Sequence, residues 1–518
     1  MMPMILEFLS YLAPLVVSFL LVKRILISTN KQGPNAKQLL PPGPIALPII
    51  GHLHLLGPFL HQTFRKLSSR YGPLMYLRLG SVGCVVASNP EFAKELLKTY
   101  ELAFAARMHT AAITHLTYNS SFAFAPYGTY WKFIRKFSTY ELLGNRTLAQ
   151  FLPVRTKELH HLLQFVLDKA KAGESVNLTQ ELLKLTNNTI SQMMLSMRCS
   201  GTGNPADSVR TLVREVTEIF GEFNISDSIW FLKNWDLQGF RKRFEDLHRR
   251  FDALLEMIMR ERERVRSESK QKKGDNVNKV KDFLDIMLDV LEKDNSESEV
   301  DFTRNHIKAL ILDFFTAATD TTAIVLEWAM AELINHPKLL KIAQQEIDQV
   351  VGKGRLVEES DSPHLHYIQA IIKETFRLHP PVPMINRKSI QTCQVKGYTI
   401  PAECMVFVNV WAIGRDPKVW TDPLKFQPER FLKSDDSIDV RGQHYELLPF
   451  GSGRRGCPGA SLALQELPTT LAAMIQCFDW KVANGVVDMV ERPGLTAPRA
   501  KDLECVPVVR FTPTLFAT

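Results

Sequence analysis

Phe450-Gly451-Ser452-Gly453-Arg454-Arg455-Gly456-Cys457-Pro458-Gly459 is the stretch on which the reading of this chain turns. Its four glycines allow tight turns and a close approach of backbone to a flat ligand. Arg455 supplies charge for a carboxylate. Cys457, among backbone N–H groups, could remain a thiolate and bind a metal. A lone cysteine is usually a small buried hydrophobe, and it is the ten-residue F-x-x-G-x-R-x-C-x-G spacing that sets this one apart. Gly451, Gly453 and Gly456 also form a formal G-x-G-x-x-G. That dinucleotide fingerprint requires a preceding strand and a βαβ unit, and no clear strand leads into Phe450, so the match is read as coincidence.

Upstream, residues 306–335 are largely apolar and contain neither proline nor glycine. They predict one helix of about thirty residues, roughly 45 Å long, and its apolar character on nearly every side predicts a course through the middle of the protein. Thr316, Thr319, Asp320, Thr321 and Thr322 interrupt that character. Buried polar groups are costly unless satisfied or used. Threonines can bond back to their own helix; a buried aspartate is not explained that way. Amphipathic periodicity predicts further helices near 154–171, 209–220 and 240–266. The charged segment 266–282, with Lys270, Lys272 and Lys273, reads as an exposed loop. Strand-like runs fall near 74–79, 84–86, 395–400 and 404–410. The fold class is mainly α with a minor β component, one large domain with small sheets.

The chain has 518 residues, 45% of them apolar and 23% charged, with a net charge of +8. That composition is globular and can bury a bulky cofactor. The basic excess suits a solvated surface, or a docking face for an acidic partner or an anionic membrane; no basic run interleaved with aromatics marks a nucleic-acid reader. The seven cysteines form no C-x-x-C pair, and their number is odd. A disulfide framework and a structural zinc site are both disfavoured, and a reducing compartment fits.

Residues 5–22 are apolar apart from Glu7, two serines, a tyrosine and a proline, and Lys23 and Arg24 follow. Eighteen helical residues rise roughly 27 Å, just short of a bilayer core. A signal peptide would begin basic and end at a small-residue cleavage site; here the basic pair follows the apolar run. The positive-inside rule then leaves the rest of the chain cytosolic, and Asn119, Asn145, Asn177, Asn187 and Asn224, all in N-x-[ST] sequons, should be bare. The expected organisation is a membrane anchor at 1–24, a linker and proline-rich hinge at 25–48, and one domain at 49–518. Five of the nine residues from Pro41 to Ile49 are proline or glycine, so the hinge is a stiff extended arm.

With these residues in view, the chain closely resembles the cytochrome P-450 superfamily, and the resemblance covers essentially its whole length. The cysteine loop resembles the family's haem-binding loop, which implies Cys457 as the iron ligand and Phe450, Arg455 and Gly459 as cofactor contacts. Glu374 and Arg377, in Lys373-Glu374-Thr375-Phe376-Arg377, look like the family's E-x-x-R pair. Arg430, in Pro428-Glu429-Arg430-Phe431, would complete its buried Glu–Arg–Arg network. Trp131 and Arg135 match the W-x-x-x-R helix that reaches a haem propionate. Ala317-Ala318-Thr319-Asp320-Thr321-Thr322 matches the oxygen-activation segment, with Asp320 relaying protons from solvent and Thr321 as its alcohol partner. The family usually has glycine where this chain has Ala318, whose methyl would crowd the oxygen pocket.

The resemblance implies a haem-thiolate monooxygenase that carries haem b and takes electrons from NADPH through a separate flavoprotein reductase. The thiolate ligand pushes electron density onto iron and favours O–O cleavage. The expected location is the endoplasmic reticulum membrane, single-pass, with the catalytic domain cytosolic. Three stretches look like plant flavonoid-modifying members, especially the flavone synthase type: Ile49-Ile50-Gly51-His52-Leu53-His54-Leu55-Leu56-Gly57-Pro58, Glu218-Ile219-Phe220-Gly221-Glu222-Phe223-Asn224 and Glu491-Arg492-Pro493-Gly494-Leu495-Thr496-Ala497-Pro498-Arg499. The implied substrate is a flavanone such as naringenin, oxidised at C2 to a flavone or a 2-hydroxyflavanone. The isoflavone synthase type, a rival that oxidises the same substrates with aryl migration, tends to carry Lys in place of Asn386 and Ser in place of Thr316. Phe104, Phe122, Phe124, Phe314 and Phe315 are core residues or the aromatic lining of that pocket. A haem-thiolate protein that binds ligand without oxygenating it, which could dispense with Asp320 and Thr321, and a membrane-anchored structural protein without a cofactor are the alternatives of other classes.

Overall fold

The computed structural model describes residues 39–200, 205–222, 224–232, 235–271, 280–292, 300–432, 438–483 and 485–511. The expected anchor and most of the linker, together with Phe223, Lys272 and Lys273, lie outside the described residues. Helices dominate, and three small sheets flank them. Among the described residues, the stretch long and apolar enough to cross a bilayer is Arg304–Asn335, and it is 67% buried inside the protein.

That stretch departs from the single helix its composition suggests. It forms two helices, Arg304–Ala318 and Asp320–Asn335, parted at Thr319. The Thr319 carbonyl accepts a hydrogen bond from Thr186 Oγ1 at 2.7 Å, contributed by the neighbouring helix Leu178–Leu195. The Thr319 and Thr321 hydroxyls turn back onto the carbonyls of Phe315 and Ala317. Side chains thus enter the i→i−4 ladder on both sides of the break, a recognised cause of helix distortion. The break also divides the core: Leu310, Ile311 and Phe315 pack with the first hydrophobic cluster, while Leu326, Met330 and Leu333 pack with another.

The helices expected near 154–171 and 209–220 are Leu152–Ala172 and Pro205–Gly221. Phe240–Gln271 runs past the expected end at Arg266, so the first residues of the supposed loop are helical. The reason is tertiary. Arg266 reaches Asp289 at 2.6 Å and Glu292 at 3.1 Å on the helix Phe283–Glu292, which ties the extra turn down.

The main sheet has four strands in the order Leu74–Leu79, Val82–Ala87, Met405–Val408 and Ile385–Lys388. Its central pair is parallel and the outer pairs antiparallel. The run near 395–400 is two strands, Cys393–Val395 and Tyr398–Ile400, because Lys396 and Gly397 both take positive φ and make a two-residue hairpin turn. The proline-rich arm lies along the first strand, where the Tyr76 N–H donates to the Pro42 carbonyl at 3.0 Å.

Candidate functional site

The cysteine loop precedes the helix Ala460–Cys477 and doubles back on itself: the Cys457 N–H donates to the Phe450 carbonyl at 2.8 Å and the Gly456 N–H to the Gly453 carbonyl at 2.9 Å. Gly451 and Gly453 have φ of +72° and +69°. A Cβ at Gly453 would lie 2.3 Å from a Glu101 carboxylate oxygen, so close approach as well as backbone conformation requires glycine there. Glu101 also receives the Arg454 backbone N–H and pairs with its guanidinium.

Cys457 is deep in the protein yet has accessible surface, because it faces a slot. Arg135, Phe450, Gly456, Ala460 and Leu464 are among the lining residues, and the slot encloses about 260 Å³, just under the roughly 300 Å³ at which ligand pockets begin. Burial pushes the thiol up, while the Gly459 and Ala460 N–H groups and Arg135 pull it down. Cys457, Phe450, Arg135 and Gly459, separated by up to 324 positions, are thereby brought to one place.

Beside the slot sits a cluster of cations, with Arg387 and Arg455 buried and Arg107 and Arg135 half-buried. Arg455 donates to the carbonyls of Ala105 at 2.8 Å and Ala125 at 2.5 Å, and its guanidinium carbon lies 4.4 Å from the centre of the Trp131 ring. The Trp131 indole N–H donates to the Phe122 carbonyl at 2.9 Å. Burial, then the charges of Arg107 and Arg135, lowers Arg455 to about 9. Burial and Arg135 lower Arg107 to about 10. Arg387 is lowered further by burial and by Arg107 and Arg455, with Glu101 opposing. Arg107 Nε has no partner, and among the described residues no carboxylate forms an ion pair with Arg107, Arg135, Arg387 or Arg455.

Gathering unpaired buried cations is strongly unfavourable. The cluster therefore fits a ligand that brings its own carboxylates, and haem, with two propionates and an iron for Cys457, meets both demands. Arg107 and Arg387 were missed from the sequence, since neither belongs to a spaced motif that could have marked it.

The broken central helix carries the second group of candidate residues. Asp320 is largely buried; that burial pushes its carboxyl up, and Arg214 and Arg492 pull it down. Among the described residues, buried Thr316 Oγ1 and Asn386 Oδ1 have no hydrogen-bond partner. Phe122 meets Phe314 at 6.1 Å and Phe124 meets Phe220 at 5.9 Å between ring centres. Phe104 and Phe315 are wholly core residues, and Phe122 and Phe314 are also buried within a core cluster. Asp313, one further buried carboxylate on this helix, escaped the sequence reading.

The remaining motif residues form a separate buried network. Glu374 accepts two hydrogen bonds from Arg377, both 2.7 Å, one from Arg430 at 3.1 Å and one from the Gln427 N–H at 2.7 Å. Arg377 also donates to the carbonyls of Pro423 at 2.6 Å and Lys425 at 3.0 Å. Glu374 and Arg377 sit on the helix His366–Leu378 and are almost wholly buried.

Comparison with known proteins agrees with this geometry. The family model described as cytochrome P-450 matches residues 41–505. Cytochrome P-450 93B16 of Glycine max is 58% identical over 515 residues, covering 96% of this chain and 97% of that protein. Cytochrome P-450 93B2 of Gerbera hybrida is 59% identical over 484 residues, 93% of each chain. A 2-hydroxyisoflavanone synthase of Glycyrrhiza echinata is 45% identical over 499 residues, 92% of this chain and 94% of the synthase.

Proposed function

The chain belongs to the cytochrome P-450 family, and from that premise we propose that it oxidises a flavanone such as naringenin at C2, giving a flavone by loss of two hydrogens or a 2-hydroxyflavanone. Members of the family are haem monooxygenases supplied with electrons from NADPH through a reductase. Bound haem, held by Cys457 and by the Arg107, Arg135, Arg387 and Arg455 cluster, supplies the oxidising chemistry.

The observation that carries the substrate reading is relatedness to enzymes whose names denote flavonoid-type phenolics. The Phe122–Phe314 pair offers flat apolar surface for the rings of such a ligand. By resemblance, the isoflavone synthase type tends to carry Lys in place of Asn386 and Ser in place of Thr316, and both differences favour the flavone route here. A 2-hydroxyisoflavanone synthase and a 3,9-dihydroxypterocarpan 6A-monooxygenase of Glycine max are relatives at 45% and 51% identity, and both names denote fused-ring phenolics.

Within that site the chain's own groups divide the work. Asp320, its carboxyl raised by burial, delivers protons from the surface side, and Thr321 positions the receiving end. The phenylalanines exclude water, and Glu374, Arg377 and Arg430 fix the segment that leads to the cysteine loop. Residues 1–24 anchor the catalytic domain, 49–518, to the endoplasmic reticulum membrane through the 25–48 hinge.

The test is NADPH-dependent turnover of naringenin by microsomes that contain this protein and a plant reductase, with products identified by mass spectrometry. A product lighter by two hydrogens establishes the flavone route, and one heavier by an oxygen the 2-hydroxyflavanone route. No turnover from preparations with a sound reduced carbon-monoxide spectrum rejects the flavanone.

A further inference from the structure

Asp313 lies on the helix Arg304–Ala318, before the break at Thr319, and only 8% of it is exposed. Among the described residues its carboxylate has no cationic partner. Instead, Oδ1 accepts from Ser121 Oγ at 2.6 Å and Oδ2 from the Phe122 backbone N–H at 2.9 Å. Burial pushes the carboxyl up to about 7, against the pull of Ser121 and the N–H groups of Phe122 and Ala123. Ser121 in turn accepts the Ala123 N–H at 3.1 Å and the Phe124 N–H at 3.3 Å, so one carboxylate organises the whole turn from 121 to 124.

The carbonyls of the same segment are held from the other side. The Phe122 carbonyl accepts from the Trp131 indole, and the Ala125 carbonyl accepts from Arg455, two residues before Cys457 in sequence. The approach to the segment passes through Tyr118 and Asn119, both in left-handed conformation, which non-glycine residues adopt only when surrounding contacts hold them. Phe122 and Phe124 project from this doubly gripped turn toward Phe314 and Phe220.

We propose that Asp313 is a positioning residue that clamps the 121–125 segment from the central helix while Arg455 and Trp131 grip it from the cysteine-loop side, so that the aromatic wall over the site and the cationic cluster are set by one strut. The role rests on the reading of Phe122 and Phe124 as the substrate wall; it does not depend on the substrate being a flavanone. Removing the carboxylate leaves the Ser121 O–H donor and the Phe122 N–H buried without an acceptor, a loss worth about a tenfold or greater change in local opening.

The full-length, haem-loaded protein decides this by hydrogen exchange of peptides spanning 118–127 and by spectral titration with 4-phenylimidazole and, separately, naringenin. Asp313→Ala is expected to speed exchange of the Phe122 and Ala123 amides at least tenfold and to weaken 4-phenylimidazole binding several-fold. Asp313→Asn, which can still accept the N–H and donate to Ser121, is expected to restore most of both. Unchanged exchange in Asp313→Ala overturns the proposal, as does an Asn variant as defective as Ala. Should Asp313→Ala fail to load haem, Ser121→Ala takes its place: faster exchange supports the clamp and unchanged exchange overturns it. If wild-type protein binds 4-phenylimidazole but not naringenin, and Asp313→Ala still loosens the segment, the clamp stands and the flavanone reading falls.

Discussion

Replacing Glu374 by glutamine tests the buried network that frames the cysteine loop. The carboxylate accepts four hydrogen bonds: two from Arg377, one from Arg430 and one from the Gln427 N–H. An amide keeps one oxygen and turns an NH2 toward a guanidinium that can only donate, leaving at least one buried cation uncompensated. Breaking a buried pair from one side typically costs about 3–5 kcal/mol. Set against a total stability of roughly 5–15 kcal/mol, that is about a fifth of the margin or more. With an unfolding entropy of roughly 2.1 cal/mol/K per residue over about 470 residues, it lowers the melting temperature by about 3–5 °C. The damage should concentrate where Arg377 holds the carbonyls of Pro423 and Lys425, upstream of Cys457. A smaller fraction of the purified protein should therefore show the thiolate-type reduced carbon-monoxide band. Haem content by pyridine haemochrome, that band and the thermal midpoint are measured on the same preparation. A Glu374→Gln protein with full haem and an unshifted midpoint would show that Arg377 and Arg430 are satisfied by backbone carbonyls alone, and the argument for an ionic frame would fail.

Three other outcomes follow from the site and its surroundings. Cys457→Ala should abolish the thiolate-type band, measured as the reduced carbon-monoxide difference spectrum; a normal spectrum would remove Cys457 as the iron ligand. Thr321→Ala should keep haem loading yet raise hydrogen peroxide released per NADPH consumed several-fold, and unchanged coupling would count against its role in proton delivery. Glu491 is pushed up by burial, but His61 and Trp411 as donors and the charges of His61 and Arg415 outweigh that and hold it at about 2. A carboxyl depressed on folding stabilises above its unfolded pKa and loses that contribution as pH falls through the folded value, so the window runs from about 4.5 down to about 2 and is worth roughly 3 kcal/mol. Denaturation curves of Glu491→Gln should therefore be flatter with pH across that window than the parent's, and parallel curves would refute the assignment.

Legibility in the sequence follows the range of the contact. The Gly451–Gly459 spacing, the E-x-x-R pair and the apolar 306–335 run are local patterns, and each could be read before any tertiary contact was known. Arg107 and Arg387 acquire meaning only beside Arg455, which folding brings from far along the chain. Asp313 looks like one more helix residue until a turn 191 positions away supplies its donors. The end of Phe240–Gln271 was misplaced for the same reason, because the partners of Arg266 sit on another helix.

The break at Thr319 makes the point most sharply, since the residue that imposes it lies far outside the segment. Five polar residues between Thr316 and Thr322 flagged a use for that segment, and back-bonding hydroxyls accounted for part of it. What opens the ladder is Thr186, 133 positions earlier, taking the Thr319 carbonyl. That contact exists because the helices Leu178–Leu195 and Asp320–Asn335 pack together. A glycine at the position of Ala318 would loosen the helix from within. Here the distortion is imposed from outside by a neighbour's hydroxyl, which accounts for an open segment in a chain that carries alanine beside it.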